Sequence, residues 1–459
     1  MNVARALATL MVFAPLSSAL AAEVDFEGFY RARGRMFDSL TLQRDNLANG
    51  EGRVAYAQHR LWLRPSFILS ENVVLRTEIR GLDGVLWGDE PVPGFDPVTG
   101  VNESTALSDS MEAPSVALTT GERATAAGTD ITLWRAWGEV HTPYGRFMAG
   151  RMPLNWGSGV WQNDGTSGDM MDKDFGDTAD RVAWEHLIDD KVYLLAAVDL
   201  NSEGYLNLAD DMASLNLGAA YRSETVVAGL NGQYRSNSST NLGLFTISGA
   251  VDAELGSIEL HTEIVGQFGS GSLDAETGDV QIGAGGGVLD LAMKGEKLDL
   301  GALAGFATGD GNSADANMHT FTFDRDYNIG LFMFEQPMPV LSTNGTGSGR
   351  SYGVTQTGEA ISNAIFLKPR VAYHLRDDLT LNAAALFARA ATAPDGQDTR
   401  KSYGYEVTGG LTYEPYEHVE LNGTAGVFLP RSWYSEYDTE NFDFSATAYG
   451  AQLGAIIRF

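Results

Sequence analysis

Apolar and polar positions alternate in the last sixteen residues of the chain. In 444–459, FSATAYGAQLGAIIRF, every second position from Phe459 back to Tyr449 is apolar, and the positions between them include polar residues and glycines. A period of two predicts a β-strand with one apolar and one wetter face, because successive strand side chains point to opposite sides. The apolar set is Tyr449, Ala451, Leu453, Ala455, Ile457 and Phe459.

The same alternation recurs along the chain and predicts about 18 strands, each long enough to cross a bilayer. Short connections such as 70–72 and 142–145 alternate with long ones such as 89–128 and 308–359. Alternating loop lengths are typical of a closed antiparallel barrel with short periplasmic turns and long extracellular loops. We therefore predict an all-β protein: a single transmembrane antiparallel β-barrel of about 18 strands, formed by residues 22–459 and located in the outer membrane.

The N-terminus has the features of an export signal. A positive Arg5 precedes the apolar stretch 6–16, and Ala19-Leu20-Ala21 supplies small residues at a cleavage site, so residues 1–21 are predicted to be a signal peptide. No cysteine occurs anywhere in the sequence. This excludes a lipid-anchored cysteine, disulfides and cysteine chemistry.

The chain is strongly acidic, with a formal net charge of −29. Nucleic-acid binding is not expected, because phosphate contacts need a basic surface. The carboxylates are concentrated in turns and loops, where most of them are expected to be solvated.

Strand parity assigns a basic arc to the inside of the barrel, mainly on the N-terminal strands. A barrel of this size encloses water, so passage of a hydrophilic solute is the expected function, and confined arginines favour anions. Alternatively, these arginines pair with carboxylates such as Glu27, Glu78 and Glu139 and only stiffen the wall. The predicted pore-lining residues are Arg31, Arg33, Arg35, Arg60, Arg64, Arg76, Arg80, Arg135, Arg151, Lys368 and Arg370. An opposing acidic wall would consist of Glu259, Glu263, Glu406 and Glu420.

The late loop around 319–340 is too aromatic to be freely solvated. It is expected either to fold into the lumen as a constriction or to form a hairpin above the rim. The residues of this candidate constriction are Phe321, Phe323, Asp324, Tyr327, Phe332 and Phe334.

Four closely spaced carboxylates offer oxygen ligands of the kind that Ca²⁺ prefers. They are Asp169, Asp172, Asp174 and Asp177. Nonspecific divalent bridging to outer-membrane lipid and lipopolysaccharide is the alternative. No other cofactor is expected.

No spacing in the sequence arranges a nucleophile, a base and an orienting acid, so an enzyme is not expected. The rival interpretations are a non-conducting surface barrel that acts as an adhesin or receptor and, less favoured, a barrel hydrolase.

The stretch 150–157, Gly-Arg-Met-Pro-Leu-Asn-Trp-Gly, resembles the G-R-Q-x-L-x-W-G pattern of alginate-export-type porins, with Met152 in place of glutamine. That resemblance implies a barrel of roughly 18 strands with a basic lumen that conducts anionic polysaccharide or smaller anions. The last strand also resembles the closing strand of bacterial outer-membrane barrels. It therefore implies recognition by the barrel-assembly machinery through the terminal Phe459.

Overall fold

The structure is a computed structural model that describes residues 23–40, 42, 44, 53–88, 131–166, 171–202, 212–237, 241–272, 279–312, 315–336, 338, 360–394, 396–436 and 443–459. The predicted signal peptide, 1–21, and the loop 89–128 lie outside these residues.

Within the described residues, nineteen strands belong to one sheet, and all but the two-residue β14 follow the predicted alternation of apolar and polar positions. The strands are β1 (Glu23–Asp38), β2 (Arg53–Ser70), β3 (Val73–Gly88), β4 (Ile131–Thr142), β5 (Gly145–Pro153), β6 (Thr178–Ile188), β7 (Val192–Ser202), β8 (Met212–Arg222), β9 (Val226–Asn237), β10 (Leu242–Leu255), β11 (Ile258–Ser272), β12 (Asp279–Met293), β13 (Leu298–Ala307), β14 (Asn317–Met318), β15 (Ala364–Arg376), β16 (Leu379–Ala390), β17 (Ser402–Tyr416), β18 (Val419–Pro430) and β19 (Ala448–Arg458).

Eighteen of these strands close into an antiparallel barrel, as predicted. Each pairs with its neighbours in chain order, and β1 pairs with both β2 and β19, in the latter case from Phe29 opposite Arg458 to Asp38 opposite Tyr449. The two-residue β14 is the exception, because it pairs in parallel with β12 and takes no place in the wall.

The two rims of the barrel differ. At one rim, which we call the turn end, the described strands are joined by two to four residues, and Glu23 and Phe459 lie there. Reciprocal backbone hydrogen bonds between Gly28 and Phe459, of 2.8 and 3.0 Å, fasten the last residue to β1. The opposite rim, which carries the longer connections, we call the loop end.

The outer face of the wall is apolar. On β19 the alternation is plain: Leu453 is 69% exposed and Tyr449 and Ile457 are also exposed, whereas Gln452 and Ile456 are buried inside. Apolar side chains exposed in this way on most of the strands form the band that lipid covers. Within the described part of the chain, no helix is long and apolar enough to span a membrane.

The described parts of two loop-end connections fold into the barrel instead of away from it. The β5–β6 loop comprises residues 154–177, and the β13–β15 loop comprises residues 308–363. Side chains of both loops join a buried apolar cluster with inward-facing wall residues such as Leu303, Phe366 and Phe428. The protein therefore has a packed core, and that core lies inside the barrel towards the loop end.

We predict that the lipid-facing band makes substitutions depth-dependent. Leu217→Arg, at the centre of β8, should lower the free energy of unfolding by about 2–4 kcal/mol, because a charge near the bilayer midplane loses its hydration. Tyr221→Arg, on the same outward face but at the turn end of β8, should cost only about 0–1 kcal/mol. Urea unfolding in lipid vesicles measures both, and equal losses would contradict the assigned orientation.

Candidate functional site in the lumen

Six arginines form a continuous buried surface on the inner face of the first four strands. We call this set the arginine wall; it consists of Arg31, Arg33 and Arg35 on β1, Arg60 on β2, Arg80 on β3 and Arg135 on β4. They were predicted to line the pore, and strand parity does turn them inward. All six are nevertheless buried, because the β5–β6 loop covers them.

The loop's carboxylates bind the arginine wall directly. Asp174 Oδ1 lies 2.5 Å from Arg31 Nη2, and the other oxygen of Asp174 pairs with Arg33. Asp172 Oδ1 lies 2.6 Å from Arg35 Nη2 and accepts a 3.0 Å hydrogen bond from Gln452. Burial alone would raise the pKa of Asp174, but the neighbouring arginines lower that pKa well below its ordinary value. The Asp174 carboxylate is therefore ionised where it contacts the arginine wall.

The loop's backbone binds the wall as well. Arg31 donates to the carbonyl of Lys173 at 2.9 Å, Arg60 to that of Asp174 at 2.7 Å, and Arg80 to that of Phe175 at 2.6 Å. Successive carbonyls of residues 173–175 thus point towards β1–β3. These charge-assisted bonds satisfy guanidinium groups that would otherwise be buried at a high cost.

Aromatic rings hold Arg80 in place. Its guanidinium carbon lies 4.4 Å from the ring centre of Trp62 and 4.0 Å from that of Trp134. Trp134 precedes Arg135 in sequence, yet both contact this site, because the register between β3 and β4 shifts between Glu78 and Ile79. A regular alternation would have separated them, so sequence parity missed this stacking partner.

The other end of the β5–β6 loop is bound to the opposite side of the barrel. Glu263 on β11 accepts backbone hydrogen bonds from Ser158 and Val160, both at 3.0 Å. Gly157 approaches so closely, with a φ of +56°, that a Cβ there would lie 2.9 Å from Glu263 Oε2. The loop therefore crosses the lumen, and Glu263, expected on an acidic wall, is a buried loop anchor.

A second glutamate anchors the β13–β15 loop in the same manner. Glu406 on β17 accepts the backbone N–H groups of Phe332 at 3.1 Å and Met333 at 2.9 Å, and that of Leu331. Both glutamates are almost fully buried. Backbone N–H groups that point into an apolar lumen need acceptors, and these two wall residues supply them.

The residues predicted as a constriction lie inside the barrel. Phe321, Phe323 and Phe332 are buried in the apolar cluster, and Tyr327 and Phe334 pack against it. The described part of this loop is therefore not a hairpin above the rim. Asp324 belongs to the contact between the two loops.

The two inward loops touch each other through carboxylates. Asp326 accepts the backbone N–H of Asp174 at 2.8 Å and that of Phe175 at 3.1 Å, and Asp324 donates its own N–H to the Val160 carbonyl at 2.8 Å. The Asp324 carboxyl also shares a hydrogen bond with Asp177.

Two carboxyl groups can share a hydrogen bond only if one carries a proton. Burial raises the pKa of Asp177 to about 7. Burial and the nearby charges of Asp177 and Asp326 raise the pKa of Asp324 well above its ordinary value, so the pair favours holding a shared proton.

Nearer the turn end, arginines are the more exposed members of their ion pairs. Arg76 is 41% exposed and its partner Glu139 only 2%, and Arg146 is 36% exposed against 14% for Glu185. The same order holds for Arg64 with Glu78, Arg370 with Asp290, and Arg458 with Glu420. At the arginine wall the order is reversed: Asp174 is 22% exposed and Arg31 is 2%.

Other predicted pore-lining residues divide by parity. Arg64, Arg76, Lys368 and Arg370 lie at inward positions of their strands. Arg151 does not.

Arg151 shares the outward face of β5 with the exposed Phe147 and Ala149 and pairs with Asp180 at 2.8 Å. Arg146 and Arg151 are five residues apart on a regular strand, so they cannot share a face, and the inward assignment of Arg151 is corrected.

The four carboxylates proposed for calcium do not assemble a metal site among the described residues. Asp172 and Asp174 bind arginines, Asp177 contacts Asp324, and Asp169 lies outside the described residues. No group of three histidine, aspartate or glutamate side chains in the described ranges could hold a metal ion.

Solved structures share this architecture. OpdQ of Pseudomonas aeruginosa matches with a TM-score of 0.54 at 9% identity, covering 95% of this chain and 97% of its own. OccK2 (OpdF) of the same species matches at 0.53 and 11%, covering 95% and 98%. A BenF-like porin from Pseudomonas fluorescens matches at 0.50 and 12%, covering 95% and 99%. No family model and no curated protein matches.

The fold is that of an outer-membrane porin. The protein therefore lies in the outer membrane, as predicted. The comparisons support a porin barrel but not the alginate-export-type family suggested by residues 150–157. Those residues end β5 and begin the β5–β6 loop.

We predict that loss of the Glu406 anchor widens the channel. Glu406→Ala removes the acceptor for three backbone N–H groups, so the β13–β15 loop should leave the wall and single-channel conductance should change by about twofold or more. Glu406→Gln keeps an acceptor oxygen and is the matched control. Identical conductances for the two variants would show that the loop does not depend on this anchor.

We also predict that pH affects the contact between the loops. Because the pKa values of Asp177 and Asp324 are raised, the contact is most stable below the ordinary value of 3.8 and loses stability as the pH rises to about 7. Conductance should therefore be larger or noisier at about pH 8 than at about pH 5.

Asp324→Asn, which keeps a donor without titrating, should remove that difference. Asp190→Asn, in a turn at the other end of the barrel, should leave it intact. An unchanged pH response in Asp324→Asn would locate the titrating group elsewhere.

Proposed function

We propose that this protein is a porin for passive passage of small hydrophilic solutes, with a preference for anions. The observation that carries the preference is the exposure order of the ion pairs near the turn end. Since the guanidinium groups face the water and their carboxylates lie beneath, the lumen surface is more positive than the count of charges implies. Confined positive charge raises the local concentration of anions.

The pairing expected from the sequence is compatible with this selectivity. Glu78 and Glu139 do bind arginines, at 2.7 Å to Arg135 and 2.8 Å to Arg76. A paired arginine still presents its outer edge to the lumen when the carboxylate is the buried partner. The net charge of the chain, −29, does not oppose this, because selectivity depends on the groups that the solute meets.

The two inward loops favour a small solute over a polymer. They fill part of the lumen at the loop end, and the β5–β6 loop crosses the lumen from β1–β4 to β11. One of the similar structures is OccK2 (OpdF) in complex with glucuronate, with a TM-score of 0.52 at 11% identity. For the present chain we propose solutes of that size class, such as a single sugar acid, and not a polysaccharide.

Reversal potentials in planar bilayers test the proposal. In a KCl gradient the wild type should prefer chloride, and glucuronate should carry current. Replacing Arg64 and Arg76 together by glutamine should lower the anion-to-cation permeability ratio by about twofold or more, because two lumen-facing cations are lost.

Arg151→Gln is the matched control, since it removes an arginine from the outer face and should leave the ratio unchanged. A wild type without current steps would favour the non-conducting adhesin or receptor. Cation preference in the wild type would refute the anion pathway.

A further inference from the structure

Asp326 holds the charged segment of the β5–β6 loop from behind. It is fully buried in the β13–β15 loop and binds the backbone N–H groups of Asp174 and Phe175, at 2.8 and 3.1 Å to Oδ1. Asn328, two residues later, donates its side-chain amide to the Asp172 carbonyl. In this contact, side chains of the β13–β15 loop therefore bind the backbone of the β5–β6 loop.

The segment 173–175 is bound on two sides. Its N–H groups at 174 and 175 face Asp326, and its carbonyls face Arg31, Arg60 and Arg80. This orientation directs the Asp174 carboxylate onto Arg31 and Arg33. Among the described residues, Asp326 is the acceptor for both of these N–H groups, and it holds the segment on the side that faces away from the arginines.

We propose that Asp326 is a positioning residue that sets the ion selectivity of the constriction without meeting the solute. It keeps Asp174 on the arginine wall, so the lumen at this level meets the outer edge of a carboxylate and not the guanidinium groups behind it. This inference rests on the proposed channel function. It adds a second part of the lumen, at the level of Asp174, where a carboxylate covers Arg31 and Arg33.

Release of residues 173–175 would change the charge that the lumen presents at this level. If residues 173–175 are released, Asp174 leaves the wall, and Arg31 and Arg33 lose their shared carboxylate partner. Buried guanidinium groups without that partner draw in water and anions. Loss of the Asp326 acceptor should thus increase anion preference, although the residue lies out of reach of the solute.

Two substitutions of Asp326 separate positioning from charge. Asp326→Ala removes both the charge and the acceptor, whereas Asp326→Asn removes the charge and keeps an acceptor oxygen. The inference predicts that alanine raises the anion-to-cation permeability ratio by about as much as Asp174→Asn does, roughly twofold or more, and that asparagine stays close to wild type. Asp326→Ala should add little in a chain that already carries Asp174→Asn, because both act on the same carboxylate.

Hydrogen exchange provides a readout that does not need conduction. In the refolded full-length protein, the amides of Asp174 and Phe175 should exchange about tenfold faster or more in Asp326→Ala and remain protected in Asp326→Asn. Equal selectivity shifts in the alanine and asparagine variants would assign the effect to charge and overturn the inference.

Unchanged selectivity in Asp326→Ala or in Asp174→Asn would overturn the inference too, as would amides that stay protected in Asp326→Ala. A wild type that forms no channels would instead overturn the proposed function, and the exchange rates would still decide whether Asp326 holds the segment.

Discussion

The interior of this barrel depends on the binding of one acidic loop by a row of buried arginines. Six guanidinium groups on β1–β4 cannot be removed from water unless each finds acceptors, and residues 171–177 bring carboxylates and carbonyls to them. The arginines in turn hold this end of the loop inside the barrel, as Glu263 holds the other end. Wall and loop therefore fix each other's position.

Elsewhere on the wall the same rule applies with reversed polarity. Glu263 on β11 and Glu406 on β17 accept N–H groups from the two inward loops, and apolar inward positions such as Phe366 and Phe428 pack against the loops' aromatic side chains. An arginine surface that binds carbonyls and separate glutamates that bind N–H groups can together hold irregular backbone inside a barrel. The lumen thereby acquires a core at the loop end, whereas towards the turn end exposed arginines line it.

Much of the barrel follows from the sequence because lipid imposes a period of two. The outward face must be apolar at every second position, so strand existence, inward parity and closure were all predicted from alternation. Arg151 shows the limit of that reasoning. The other arginine of its strand, Arg146, points inward. Because the two are five residues apart on a regular strand, Arg151 must point outward.

The candidate site could be predicted only in part. Alternation in the sequence determined which arginines face inward, and the aromatic content of 319–340 indicated a loop that packs on something. Whether those arginines meet solute or protein depended on contacts between segments far apart in the chain, such as Arg31 with Asp174 and Asp174 with Asp326. The sequence pattern encodes the side of a strand on which a residue lies, because successive side chains of a strand point to opposite faces. The partner of a buried charge was decided by the tertiary structure alone, because desolvation acts on whatever the fold brings within reach.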